Sequence, residues 1–259
     1  GLQDFCVTSV TIQANQAQCN GGDPLVSTGG NITTEEAVNV QEVNVNINGN
    51  GIGVMSSFTT GTDGNFDMSV PAGGDYTVVP EKNINPMNGV TTFDLVKISK
   101  HILNVQLLDS PYKMIAGDIN NSGSLTTLDL VKLRKMILLI DTEFSSNNSW
   151  RFVDKDYQFP NPQNPWTEDF PEVINLNNLG TNQSALDFVA IKIGDVNETV
   201  DGTQLTETPG EAFSRSNEAL VLQVQDRAIR AEELIAIDVT AKDFQELIAY
   251  QWALNFNPE

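Results

Sequence analysis

A duplicated segment constrains the fold of this 259-residue chain more than any other feature of its sequence. Residues 90–103 match residues 125–138 at an offset of 35, with nine identities in 14 positions. Each copy opens with Thr-Thr-x-Asp, which is typical of a helix N-cap followed by a carboxylate in the first turn. Apolar residues then recur every three or four positions, so each helix carries one apolar stripe. The repeat therefore predicts two helices that pack against each other.

An oxygen-rich loop precedes the second helix. With Asp118 as position 1, oxygen-bearing side chains stand at positions 1, 3, 5, 9 and 12, and Gly123 stands at position 6. This is the spacing of an EF-hand loop, except that Asp replaces the usual Glu at position 12. It predicts a calcium site, the alternative being a metal-free loop that caps the helix. The predicted ligands are Asp118, Asn120, Ser122, Ser124 through its carbonyl, Thr126 and Asp129.

The loop before the first helix departs from this pattern. It has asparagine at positions 1 and 3, methionine at position 5 and glycine displaced to position 7. Only position 12 is charged, so calcium is expected to bind more weakly here, and a metal-free loop held by hydrogen bonds is the alternative. The candidate ligands are Asn83, Asn85, Asn88, Thr91 and Asp94.

A third, partial copy of the motif lies near the end of this region. Residues 193–197 match residues 116–120, but the rest of a calcium loop does not follow. Asp195 and Asn197 are predicted either to close the end of the module or to lend oxygen to the weak first site. The remaining alternative is a turn with an Asx cap.

The loop from Asp118 to Asp129 and the helix after it, present twice in the chain, resemble a type I dockerin. The resemblance implies two calcium loops, each followed by a helix but lacking the helix before it, and a surface that plugs into a cohesin domain of another protein. The helix positions that contact cohesin in that family are here Thr92, Phe93, Ser99, Lys100, Thr127, Leu128, Arg134 and Lys135. Phe93 and Leu128 are apolar where the family has hydroxyl residues. Docking against a neighbouring domain or an identical subunit therefore competes with a cohesin partner.

Upstream of the repeat, apolar and polar residues alternate at Val43, Val45 and Ile47, and turn signals follow at 48–49 and 63–64. This pattern predicts short strands of an antiparallel β-sandwich. Residues 62–66 and 70–78 resemble the carboxypeptidase-regulatory-like β-sandwich, and the resemblance implies a spacer without catalytic chemistry.

Three other segments give weaker indications. Cys6 and Cys19 are predicted to form a disulfide in an oxidising compartment, with two free thiols as the alternative. Residues 148–172 hold six aromatic residues among prolines. They predict a loop that covers the helices, and the alternative is an aromatic platform that binds carbohydrate. Residues 217–259 resemble the first strands of a cohesin.

The predicted fold class is a multidomain chain, mainly β with a small α module. The predicted order is a linker or domain edge at 1–30, the antiparallel β-sandwich at 31–80 and a dockerin-like calcium module at 81–200. The aromatic and proline-rich segment belongs to this module. A linker at 201–216 and an incomplete cohesin-like domain at 217–259 follow.

Composition excludes several functions. With 34 acidic and 14 basic residues the net charge is −20, which repels nucleic acid, and no apolar run approaches the ~20 residues of a membrane span. The chain has one histidine and no nucleophile motif or phosphate-binding loop, so an enzyme is not expected. We expect a non-catalytic, calcium-stabilised extracellular or cell-surface region that mediates assembly between proteins or domains. The alternative is the tether of a secreted polysaccharide-degrading enzyme.

Overall fold

The computed structural model describes residues 24–49, 51, 53–202, 221–224 and 238–242. This part of the chain is mainly β with three α-helices, which confirms the predicted fold class at that level. The first five strands are β1 (Leu25–Thr33), β2 (Asn44–Gly49), β3 (Gly53–Thr59), β4 (Asn65–Pro71) and β5 (Tyr76–Glu81). The helices are α1 (Thr92–Ile102), α2 (Pro111–Gly117) and α3 (Thr127–Ile137). The remaining strands are β6 (Trp150–Asp154), β7 (Ile174–Leu176), β8 (Phe188–Lys192), β9 (Val221–Val224) and β10 (Val239–Lys242).

Two four-stranded sheets share one apolar core. Their strand orders are β4-β1-β8-β6 and β3-β2-β5-β7. Alternation along the strands produces the core, because every second residue of β4 (Phe66, Met68 and Val70) is buried while its neighbours are exposed. Most strand pairs are antiparallel as predicted, but β1 and β8 are parallel, with Ile32 opposite Phe188.

The predicted domain boundaries do not separate structural units. Residues 25–30, expected to be linker, belong to strand β1. Strands β6, β7 and β8 come from the segment assigned to the dockerin-like module, yet they complete the two sheets of the upstream sandwich. Trp150 and Phe188, both almost fully buried, lie in the core that the sheets share. Burying this apolar surface requires both segments, and local sequence patterns carry no signal for such a non-local pairing.

A second core holds the helices against the sheets. The apolar stripes predicted from the repeat meet, since Ile98 of α1 and Leu133 of α3 are fully buried in the same cluster. Helix α2, for which we made no prediction, adds Ile115 to it. Ile191 of β8 belongs to this cluster as well, so β8 contributes side chains to both cores.

Several predictions fall on residues outside the described ranges. The Cys6–Cys19 disulfide is one, and nearly all of the linker at 201–216 is another. From the cohesin-like segment the structure describes only β9 and β10, which pair antiparallel. Within the described ranges, none of the helices has the length and hydropathy to cross a membrane.

Candidate metal centre

The loop from Asp118 to Asp129 is framed by two helices. Helix α2 begins after the N-cap Ser110, with Pro111 in its first turn, and ends at Gly117. Asp118 is therefore the C-cap of α2 and position 1 of the loop. The dockerin resemblance implied no helix before the loop. The Ser-Pro pair at 110–111 was the available signal for this one.

Hydrogen bonds fold the loop around its two carboxylates. The Asp118 carboxylate accepts from the backbone N–H of Ser122 at 2.9 Å and of Gly123 at 2.8 Å. The Asp129 carboxylate accepts from the backbone N–H of Asn120 at 3.2 Å and of Thr126 at 2.9 Å. The second of these bonds is part of the capping box that starts α3.

The centre of the loop is buried and negatively charged. Asp118 and Asp129 are fully buried, and the side-chain oxygen of Asn120 is buried without a hydrogen-bond partner among the described residues. Burial raises the pKa of Asp118, and the nearby Asp129 carboxylate raises it further. An unpaired buried oxygen and two close buried carboxylates are costly arrangements that a cation relieves. The loop fits calcium for this reason.

The donors are of mixed chemistry. In the described part of the chain, no group of three or more His, Cys, Asp or Glu side chains is placed to hold a metal ion. The loop instead combines two carboxylates with amide, hydroxyl and carbonyl oxygens, which suits a hard cation such as calcium. The side chain of Trp166 lies over position 6, where a Cβ on Gly123 would be 3.8 Å from the indole.

Two residues of the predicted first loop are engaged by other parts of the chain. The side-chain oxygen of Asn83 accepts from the Ser149 N–H at 2.8 Å. The Asn88 side chain bonds to both the backbone carbonyl and the N–H of Asp201. Both side chains therefore hold segments outside the loop, and calcium binding by them stays a prediction.

A protein cation also lies against the first loop. Lys192, which is 3% exposed, donates from Nζ to the Pro86 carbonyl at 2.6 Å. The same ammonium group lies 5.5 Å from the Phe144 ring centre. Asn85 is buried in this loop with a positive φ of 51°. The Lys192 ammonium group therefore already places a positive charge beside the backbone of Pro86, which is position 4 of this loop.

Asp94, the last candidate of the first loop, meets the third partial copy. Its Oδ1 accepts from the backbone N–H of Val196 at 3.0 Å and of Asn197 at 3.1 Å. Burial raises the pKa of Asp94 to about 7, and the neighbouring Asp195 carboxylate contributes to the increase. Thr91 caps the helix and donates to the other oxygen of Asp94. The structure thus brings Asp94 together with the predicted residues Asp195 and Asn197.

Sequence reasoning missed Thr199, which completes this group. Its hydroxyl donates to the Gly89 carbonyl at 3.2 Å and also hydrogen-bonds Asn197. A signal existed, since a hydroxyl residue stands two positions after Asn197 as Ser122 stands two after Asn120.

The residues predicted to contact a partner lie on the outer faces of α1 and α3. Lys100, Thr127, Leu128, Arg134 and Lys135 are exposed, and Thr92, Phe93 and Ser99 are half-buried. Leu128 and Val131 are about half exposed, at 51% and 50%. The Lys97 ammonium nitrogen lies over the Phe93 ring, 5.6 Å from the ring centre.

The aromatic residues of 148–172 are used in packing. Trp150 and Phe152 of β6 are buried in the sandwich core. The other four pack against the helical core; they are Tyr157, Phe159, Trp166 and Phe170. This arrangement agrees with a covering segment and leaves no row of exposed rings in that stretch for sugar.

Comparison with known proteins adds no family to this picture. No protein-family model matches the chain, and no curated protein matches it significantly.

Proposed function

We propose that this region is a non-catalytic, calcium-stabilised module of an extracellular or cell-surface protein, and that its paired helices bind another protein. The observation that carries the calcium assignment is the buried side-chain oxygen of Asn120, which lies in the loop with Asp118 and Asp129 and has no hydrogen-bond partner among the residues that the structure describes. Folding places two carboxylates where water cannot solvate them, and calcium compensates for that loss. The dockerin resemblance supports the same function.

Calcium would act as part of the fold. The loop links α2 to α3, and both helices contribute to the second core. A ligand that binds only the folded state stabilises it by RT ln(1 + [L]/Kd), about 4 kcal/mol at a thousandfold excess over Kd. Extracellular calcium modules bind in the range that millimolar calcium outside cells saturates.

The face proposed to bind a protein combines basic and apolar side chains. Arg134 and Lys135 are exposed beside the half-exposed Leu128 and Val131. The chain as a whole carries a net charge of −20, which opposes self-association, so a contact between identical subunits must be local and must set this basic face against an acidic patch of the second subunit. We therefore assign an identical subunit as the occupant, and a cohesin-like or neighbouring domain is the competing outcome.

The calcium function is tested by titrating calcium chloride into the chelator-treated chain by isothermal titration calorimetry. We expect saturable binding that is at least tenfold weaker in Asp118→Asn. The matched control is Asp156→Asn, an exposed carboxylate outside the loop, which should bind like the wild type. Absence of binding by a folded wild-type chain at millimolar calcium would rule out the function proposed here.

A further inference from the structure

We infer that the chain builds a second calcium site from two segments that are far apart in sequence. Asp195, Asn197 and Thr199 supply the first half of the site, and the Gly89 carbonyl and Asp94 supply the second half. The inference rests on the proposed calcium function, because it assigns the ligands of a second ion. It differs from a duplicated loop in which each site is one continuous segment.

The two halves are in register with the continuous loop. Residues 195, 197 and 199 each lie 77 positions after the residues at positions 1, 3 and 5 of that loop. Residues 89, 91 and 94 lie 35 positions before residues 124, 126 and 129, which hold positions 7, 9 and 12 of the continuous loop. The segment 195–199 therefore replaces the part of the first loop where asparagine, asparagine and methionine stand.

The hydrogen bonds of position 1 are the same in both sites. In the continuous loop the N–H groups of positions 5 and 6 donate to the carboxylate of position 1 at 2.9 and 2.8 Å. In the split site the N–H groups of Thr199 and Val200 donate to Asp195 at 2.9 and 2.7 Å. Asp195 is thus turned inward as Asp118 is.

The bonds that join the two halves also match. The hydroxyl of position 5 donates to the carbonyl of position 7 at 3.2 Å in both sites. The pair is Ser122 and Ser124 in the continuous loop, and Thr199 and Gly89 in the split site. The N–H of position 3 donates to the carboxylate of position 12 in both sites. The distance is 3.2 Å from Asn120 to Asp129 in the continuous loop and 3.1 Å from Asn197 to Asp94 in the split site. Within the second half, the N–H of position 9 also donates to the carboxylate of position 12, at 2.9 Å in the continuous loop and at 2.8 Å from Thr91 to Asp94.

The donor set of the split site fits a hard cation. It offers two carboxylates, an amide, a hydroxyl and a backbone carbonyl, as the continuous loop does. Asp94 is fully buried and Asp195 is 3% exposed, and the Asp195 carboxylate is close enough to raise the pKa of Asp94. Gly89 leaves the space open, since a Cβ there would fall 2.5 Å from the Asp195 carboxylate, and its φ of 78° also favours glycine.

Calcium at this site would fasten the end of the module to its start. The Asp201 backbone is already held by Asn88, and the Gly202 carbonyl accepts from the Gln41 N–H at 3.2 Å. The ion would strengthen the link between segment 195–199 and the first turn of α1, which hydrogen bonds to Asp94 already make. Since its two halves meet only after the sheets and helices have packed, this site can form only in the folded chain.

The experiment counts calcium ions per chain by native mass spectrometry, with calorimetry for affinities, using the full chain and calcium chloride. We expect two ions on the wild type, one on Asp195→Asn and one on Asp118→Asn. Asn83→Ala is the discriminating variant, because it removes position 1 of the continuous first loop and should keep two ions. Thr199→Val removes one oxygen with little change in volume and should weaken one of the two sites at least tenfold.

Different results overturn different statements. If the wild type binds no calcium, the proposed function fails as well. If it binds one ion that Asp118→Asn removes, the function stands and the split site is wrong. The split site is also wrong if Asn83→Ala loses an ion, or if Asp195→Asn and Thr199→Val both bind like the wild type. Circular dichroism of each variant in chelator shows whether it is folded. If Asp195→Asn does not fold, Thr199→Val alone tests the split site.

Discussion

Asp94 in the first turn of α1 accepts a hydrogen bond at 3.0 Å from the backbone N–H of Val196, across 102 positions of sequence. The same oxygen accepts from the Asn197 N–H. The carboxylate therefore holds the start of the helical repeat to the segment that follows β8. Together with the bond from Thr199 to the Gly89 carbonyl, this side chain joins the repeat to the third partial copy.

Trp166 provides an optical probe of the continuous loop. Terbium binds calcium sites and emits when a nearby indole transfers energy to it, and the indole lies against position 6 of the loop. Excitation of tryptophan should therefore sensitise terbium emission from the wild-type chain. Trp166→Phe should lose most of the emission at unchanged calcium stoichiometry, and Trp150→Phe serves as the control. Equal loss in both variants would contradict a terbium site in the loop beside Trp166.

Phe188 tests the shared core. This fully buried ring belongs to β8, which lies between β1 and β6 in its sheet. Truncation to alanine should lower the free energy of unfolding by about 3–5 kcal/mol, because a large cavity replaces the ring. Val54→Ala, at a residue that is 61% exposed, should change it by less than about 0.5 kcal/mol. Chemical denaturation followed by circular dichroism measures both. A cost below about 1 kcal/mol for Phe188→Ala would argue that the segments 31–80 and 81–200 form separate units.

His101 gives the stability a pH dependence. Its Nδ1 accepts a hydrogen bond from the Leu108 N–H at 3.0 Å, and partial burial lowers its pKa below the usual value of about 6.5. A lowered pKa means that the unfolded chain binds the proton more tightly than the folded chain. The stabilising contribution is therefore complete above about pH 6.5 and is lost as the pH falls through the lower, folded value.

The measurement for His101 uses the fact that it is the only histidine of the chain, so its proton NMR signals are unambiguous. We expect a folded-state pKa below that of the unfolded chain. His101→Asn keeps an acceptor for Leu108 without the titration, and it should remove this part of the acid destabilisation. His101→Leu lacks the acceptor and should be less stable than the wild type above about pH 6.5, with the difference shrinking as the wild-type imidazole becomes protonated. A folded-state pKa above the unfolded value would contradict the prediction.

Charge reversal tests the exposed face of α3. Arg134→Glu combined with Lys135→Glu should weaken self-association, because it places acidic groups against the acidic surface of the second subunit. Sedimentation velocity across a range of salt concentrations is the measurement, and association should also weaken as salt rises. Melting temperature in calcium should be unchanged, since both side chains are exposed. A wild-type chain that stays monomeric at high concentration would exclude an identical subunit as the partner.

Predictions from sequence succeeded where the physical cause is local. The apolar stripes that bring Ile98 and Leu133 together depend on residues three or four positions apart, and so does the capping box at Thr126. The spacing of oxygen atoms in the loop from Asp118 is likewise a property of twelve consecutive residues. For the same reason the alternation at Val43, Val45 and Ile47 predicted a strand with one buried face, and all three side chains are buried.

The sequence by itself determined the helical repeat, the oxygen-rich loop and the alternation of the sandwich strands, because helix periodicity, turn geometry and strand pleat act over a few residues. Only the tertiary structure decided that β8 pairs with β1, that Lys192 lies against the first loop, and that Asp94 meets Asp195. These contacts join residues about 100 or more positions apart, and they form because both apolar cores must be closed. Local sequence motifs do not show which distant segments will be buried against each other.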